Sequence, residues 1–372
     1  MDELELKEKD IQETVDTETP LDKNVRLMSP TQMLIRRFFR SKLSIIGLIM
    51  VISLFLFCFL GPVVYTKWGE TDIDKSGKLQ YGSTPKEYWV CECGTANTDN
   101  SCVNCSGEKG DNVTYKIMET TEKMIGDQAL TGPSAEHPLG TDDQGYDVLA
   151  RLMYGGQVSL LVSFMTVILM TLFGVFIGGI AGYFGGVVDN IIMRLCDILM
   201  CLPGVPILLI LSSAMDGWVE LDLMEEGMRI YILMFFLTLI SWPGTARLVR
   251  GQILSLREQE YMVAAEAMGY STSRKIFKHL VPNVMPQLIV QMSLSLGSMI
   301  LYEATLSYLN MGIKAPYTAW GSMINIITTN NEILQNHLYV WVPAGVCIVI
   351  AVLGFNFVGD GLRDALDPKA RR

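Results

Sequence analysis

Charge is what this chain of 372 residues has little of: 18% of its residues are Asp, Glu, Lys or Arg, against 50% hydrophobic. With a mean hydropathy of +0.31, that composition excludes an ordinary soluble domain and points to the membrane. Histidine is scarcer still: His137, His279 and His337 are the only three, and no Ser/His/Asp constellation can be assembled around them. No GxxxxGK[ST] loop occurs, so the chain is not expected to bind ATP itself. A net charge of -10, with no basic patch interleaved with aromatics, excludes nucleic acid as a partner. Internal repeats and low-complexity tracts are absent as well, and a stand-alone secondary transporter would be expected to show pseudo-symmetric halves.

What is present is a series of long apolar runs, near 43–66, 157–182, 190–214, 229–246, 284–310 and 338–358. Each is long enough to cross a hydrocarbon core of ~30 Å, which predicts an all-α integral membrane protein with six transmembrane helices. Arg36, Arg37, Arg40 and Lys42 precede the first run and place the amino terminus in the cytoplasm. Alternation then puts Arg247, Arg250 and Arg257 inside, together with the tail carrying Arg363, Lys369, Arg371 and Arg372. The loop with Asp216, Glu220, Asp222, Glu225 and Glu226 faces outward. The first run is too long for a signal-peptide core, and Glu3, Glu5, Glu8 and Asp10 precede it, so it is read as a retained span. Pro203 and Pro206 are expected to kink the third span and Pro243 to end the fourth. Glu303, Asp189, Arg194 and Asp197 lie in or beside spans, where ionisable groups face a cavity or a partner. Arg194 and Asp197 read as a brace one helical turn apart. Glu303 stays open between a substrate pathway and a brace. Cys58, Cys196, Cys201 and Cys347 read as packing residues.

Between two spans lies a polar, helix-forming segment from Glu258 to Pro282. Glu258 and Glu260 stand where a helix dipole favours carboxylates, Gly269 suits a helix C-terminus, and Arg274, Lys275 and Lys278 mark a second, basic helix that Pro282 closes. Tyr261, Ala265 and Gly269 recur every four residues, forming a stripe small enough to admit another backbone.

Ala264-Ala265, Gly269 and His279-Leu280-Val281-Pro282-Asn283 resemble the coupling-loop signature of the membrane subunits of ATP-binding-cassette importers. Further matching stretches occur in order: His137-Pro138-Leu139-Gly140-Thr141-Asp142, Gly155-Gly156-Gln157-Val158-Ser159, Ala181-Gly182-Tyr183-Phe184-Gly185-Gly186, Glu303-Ala304-Thr305-Leu306-Ser307 and Gly359-Asp360-Gly361-Leu362-Arg363-Asp364. Together they resemble oligopeptide/dipeptide importer permeases of the second-permease type, over the first span and nearly everything after residue 136. The resemblance implies the type I importer permease fold, with a cytoplasmic tail (1–42), a first helix (43–66), an extracellular insertion (67–147), a permease core (148–366) holding coupling loop 257–283, and a short cytoplasmic tail (367–372). It implies a multi-pass plasma-membrane subunit, not itself an enzyme, that reaches ATP only through partners. Those partners are two ATPase subunits, a homologous second permease, an extracellular solute-binding protein and lipid. Glu260, Tyr261, Ala264, Ala265, Gly269 and Pro282 would be the coupling residues. Peptides are the implied cargo, with nickel or another small solute as the alternative. A membrane-anchored zinc-ribbon sensor is the third class, and it would need one or two spans rather than six.

The insertion departs from the family, whose members have a shorter connection there. It holds Cys91, Cys93, Cys102 and Cys105, two close pairs joined by a polar loop, which suit tetrahedral thiolate coordination of a structural zinc ion. With Trp89 covering the knuckle the segment resembles a small zinc ribbon. Disulfides crossing between the pairs are the competing reading, since a Cys91–Cys93 bridge would be strained. Elemental analysis of the purified protein is expected to find one zinc ion, lost with local unfolding in Cys102→Ser. Two disulfides by mass spectrometry and no zinc would make the site an oxidised clasp instead.

Overall fold

In hydrocarbon every backbone N–H and C=O must find a partner within the protein, and this chain solves the problem with helices. The computed structural model describes residues 30–72, 78–90, 96–97, 114–125, 129–314 and 317–366. An amphipathic helix α1 (Pro30–Phe38) leads to α2 (Lys42–Val64), whose first turn is capped by Ser41. Three strands follow, β1 (Lys78–Val90), β2 (Ala96–Asn97) and β3 (Thr114–Ile125), in an antiparallel sheet ordered β2-β1-β3 with Trp89 buried. The long helices are α3 (Val148–Phe184), α4 (Gly186–Cys201), α5 (Gly204–Glu220), α6 (Arg229–Arg257), α8 (Thr272–Tyr308) and α11 (Leu338–Leu366). Shorter ones are α7 (Glu260–Ala267), α9 (Trp320–Thr329) and α10 (Asn331–Asn336). The membrane part is thus all-helical, and the described strands fall within the expected insertion. Its four cysteines lie outside the described residues, as do residues 1–29 and 367–372.

Among the described residues five helices are long and apolar enough to cross a membrane, or six if α4 and α5, bent by 73° at their junction, count as one span. The third span is therefore broken rather than merely kinked. Leu202, preceding Pro203, is forced out of the helical region to ψ 130, and the chain restarts at Gly204. The fourth span corrects a prediction: Pro243 does not end it, and α6 runs on to Arg257. A proline inside a helix costs ~3 kcal/mol, and here packing offsets it. Trp242 and Pro243 are buried, and just beyond them Thr245 and Ala246 meet α3.

That meeting is a glycine seam. A Cβ on Gly174 would lie 2.6 Å from Thr245 Cβ, and one on Gly178 would lie 2.3 Å from the Ala246 carbonyl oxygen. On Gly182 it would sit 2.9 Å from the Arg250 carbonyl. Spaced four apart, the three glycines bring the α3 and α6 backbones into contact, the way helices associate where lipid offers no hydrophobic drive. Gly47 of α2 does the same against Phe357 of α11. Prolines leave orphan carbonyls, and some are answered. Pro62 cannot donate to Cys58, so α2 widens over Leu56–Leu60 and the Gln157 amide donates to the Cys58 carbonyl at 2.7 Å.

Gly178→Leu is expected to force α3 from α6 and destabilise the protein by ~1–3 kcal/mol or more. Gly251→Ala, which meets nothing within 4 Å, should leave it intact or slightly more stable. Thermal unfolding of both variants in detergent checks the contrast.

Candidate functional site

The α6–α8 connection builds the first functional element. Gln259 precedes α7, Glu260 occupies its first turn, and Gly269 ends the segment at φ +69. Gly269 N–H bonds the Glu266 carbonyl and Tyr270 N–H the Ala265 carbonyl, a left-handed termination that suits glycine. The inner side of α7 is fixed: Met262 packs on Val249 and Ile253 of α6 and Ile276 and Leu280 of α8. Ala265 is 2% exposed. The expected small stripe is therefore not one outward face. Tyr261 and Gly269 are exposed, but Ala265 points into the fold, and Gly269 lies beyond the last helical residue, where a four-residue period no longer applies. Outward are Val263 at 63%, Met268 at 62% and Phe277 at 58%, with Ala264 beside them. Pro282 is also corrected. It does not close the segment but sits inside α8, which widens over Lys275–Leu280 just before it. Asn283 donates its amide to the His279 carbonyl at 2.7 Å.

The second element is a cleft of about 370 Å³ midway along α6 and α8, with Met170 of α3 at its side. Ser241 and Thr245 of α6 and Gln291, Ser295, Ser298 and Tyr302 of α8 supply its polar groups, and among the described residues no charged one lines it. Such a surface offers hydrogen bonds without selecting charge. Sequence reasoning missed it, because the residues come from helices whose faces only packing assigns.

The charged candidates lie elsewhere. Arg194 stands 3.8 Å from Asp197 with its side chain 84% exposed, so the expected brace is loose. The principal partner of Asp197 is Arg247 of α6, and Arg250 holds Asp189 through two bonds, at 2.9 and 2.5 Å. Glu303 is buried: Oε1 accepts from Ser307 at 2.7 Å and Oε2 has no partner among the described residues, so this carboxyl does not line the cleft. Cys58 and Cys196 are buried as expected of packing residues, whereas Cys201 is exposed beside the α4–α5 break.

At the opposite end of the bundle from α7, residues 129–147 fold over the start of α3. Asp147 caps that helix, its Oδ1 accepting from Ala150 N–H at 2.7 Å while Oδ2 meets His137 Nδ1 at 2.8 Å and the Tyr65 hydroxyl at 3.2 Å. Burial and the Asp147 charge push the Tyr65 phenol up from its ordinary range. Burial also raises the Glu70 carboxyl, against the pull of the Thr318 N–H it accepts at 2.8 Å. Asp142 pairs with Arg151 at 2.6 Å beside a cavity of about 260 Å³ that Lys314 and Asn325 help to line.

Helices crossing a membrane, a docked helix carrying an exposed apolar tip, and an uncharged cleft on the same two helices make a transport subunit's outline. Residues 174–372 match the family described as the binding-protein-dependent transport system inner membrane component. The chain belongs to that family. Residues 29–80 of this permease also match the N-terminal TM domain of oligopeptide transport permease C. The oligopeptide transport system permease protein OppC of Bacillus subtilis is 39% identical over 243 residues, 64% of this chain and 74% of that one. The dipeptide transport system permease protein DppC of the same organism is 42% identical over 240 residues, 64% and 71% of the two chains. DppC of Alkalihalophilus pseudofirmus is 38% identical over 242 residues, 65% and 75%. A chain of the inward-facing MetNI methionine ABC transporter aligns with a TM-score of 0.40 at 17% identity, over 58% of this chain and 96% of that one, too distant to argue from. The permease fold implied by the sequence motifs agrees with the family match.

Asp147→Ala removes a cap and leaves a buried histidine without its partner, a loss of ~2–4 kcal/mol expected from the two effects together. Asp147→Asn keeps the capping oxygen and should lose less. Thermal unfolding, with proteolysis of residues 129–147, reads the order.

Proposed function

We propose that this chain is a permease subunit of an ATP-driven peptide importer, forming half of the translocation pathway. What supports the reading is one pair of helices, α6 and α8, that carries both the exposed tip of α7 and the uncharged polar cleft. The names of the relatives above point to oligopeptides and dipeptides. A peptide backbone asks for donors and acceptors that ignore side-chain charge, which is what Ser, Thr, Gln and Tyr provide. Among the described residues the cleft lining has no His, Cys, Asp or Glu, which favours peptide over nickel as cargo. In this reading Val263, Ala264, Met268 and Phe277 meet an ATPase subunit, with Tyr261 and Gly269 at the rim and Glu260, Ala265 and Pro282 holding the helix in place. Hydrolysis belongs to two such ATPase subunits, a homologous permease completes the pathway, and an external solute-binding protein delivers cargo. The termini and α7 lie in the cytoplasm, beside the basic clusters. The β1–β3 segment lies outside, where a zinc ion on Cys91, Cys93, Cys102 and Cys105 would staple a piece too small to build its own core.

The test is uptake by the reconstituted importer, with di- and tripeptides of different charge and nickel measured in parallel. Peptide uptake regardless of charge is expected. Nickel uptake without peptide uptake would replace this reading. Val263→Asp, which puts a charge in the apolar tip, should abolish uptake while leaving the chain inserted; uptake at the wild-type rate would remove α7 from the ATPase contact.

A further inference from the structure

The arginines of α6 are more than a marker of orientation. Arg247 reaches Asp197, Arg250 forks onto Asp189, and Arg257 donates to the Tyr183 carbonyl at 2.8 Å. The first two tie α6 to α4, and the third ties it to the end of α3. The Arg247–Asp197 pair is not a stability device: its side chains are 39% and 48% exposed, and half-exposed ion pairs add little to stability. Arg250–Asp189 is more enclosed, with the Asp189 side chain 11% exposed, and it spans the same two helices. Their value is positional. The buried residues of α4 are Asp189 and Cys196, with Ile192, Met193 and Leu199 half-buried against the core, so apolar packing alone grips it lightly. Both ends of the connection matter. On one side Met262 of α7 packs on Val249 and Ile253, which bracket Arg250 on α6. On the other, α4 ends at the 73° break, and the first residue of α5 stands at the cleft: a Cβ on Gly204 would lie 3.1 Å from the Tyr302 hydroxyl and 3.8 Å from Ile240.

We propose that Arg250–Asp189 and Arg247–Asp197 are positioning pairs that carry movement of α7 through α4 and its break to the wall of the cleft. The inference rests on the importer reading. A rigid α6 moving with α7 would pull α4 as one body, and the Leu202–Pro203 break would convert that pull into rotation of α5 beside Tyr302 and Ile240. Without the pairs, no polar tie between α4 and α6 is left among the described residues, and ATP hydrolysis would proceed without opening the cleft.

The experiment uses the complete importer in liposomes, with trialanine as cargo and ATP hydrolysis measured in the same vesicles. Asp189→Asn and Arg250→Gln are each expected to lower trialanine uptake by about tenfold or more, the scale of a coupling free energy between sites, while hydrolysis continues. The exchange Asp189→Arg with Arg250→Asp should recover much of the uptake, which a change of mere bulk would not. Uptake at the wild-type rate in the single variants would overturn the proposal. So would parallel loss of uptake and hydrolysis, or an exchange that recovers nothing. If the wild-type complex hydrolyses ATP but moves no trialanine, the peptide reading fails instead. The pairs are then read from the ATP-driven change in distance between spin labels at Ala267, an exposed residue of α7 outside the proposed ATPase contact, and Val205. Asp189→Asn abolishes that change if the inference holds and leaves it intact if it is wrong.

Discussion

The backbone contact between α3 and α6 is the constraint on which the other features depend. In water a buried leucine would hold two helices together; in lipid the same leucine gains nothing over the hydrocarbon around it. Close approach is what remains, and Gly174, Gly178 and Gly182 provide it against Thr245, Ala246 and the Arg250 carbonyl. Once that seam is closed, α6 cannot bend freely at Pro243. It runs on as one continuous strut, and its far end presents Val249 and Ile253 as the floor on which α7 rests.

Polar groups follow the same economy of partners. The bundle places its charged pairs at the ends and margins: Asp142 with Arg151, Asp216 with Arg229 and Lys314, Asp189 with Arg250. Between them the cleft keeps only neutral donors and acceptors. Glu303 is the exception, a carboxyl buried near the end of α8, bonded by Ser307 and with Ser159 close by rather than a cation. Its neighbours explain its place. Ser159 also accepts the Trp320 N–H at 3.2 Å, and the Trp320 ring donates to the Leu152 carbonyl, so one polar node fastens α8, α3 and α9 together. Buried polar groups cost least when each satisfies several others.

Much of this was legible in the residues. Apolar runs read as helices because length and hydrocarbon thickness leave little choice, and Pro203 announced the break through its effect on Leu202. Pro243 misled because the cost of a proline is local while the packing that offsets it comes from another helix. Ala265 misled for a related reason: a four-residue spacing finds a stripe but not which way it faces, and Met262 rather than chemistry turned it inward. Arg194 drew attention as the near neighbour of Asp197, yet the stronger partner, Arg247, lies fifty positions away in sequence and only tertiary structure brings it close. The glycine seam carried a readable period and was overlooked among the chain's 33 glycines. The cleft had no period to read.

The inward turn of Ala265 changes what α7 can be. A small outward stripe would let a partner's backbone slide along the helix, an adjustable contact. A buried Ala265 instead belongs to the packed side of α7, where Met262 meets α6 and α8, while Val263, Met268 and Phe277 stand outward as apolar knobs. Knobs of that kind fit a groove and transmit displacement in more than one direction, because a side chain in a pocket resists both push and pull. The left-handed Gly269 completes the arrangement. It ends α7 directly after Met268 and leads through Tyr270 and Ser271 into α8, so the second wall of the cleft is joined to the same short helix as the first.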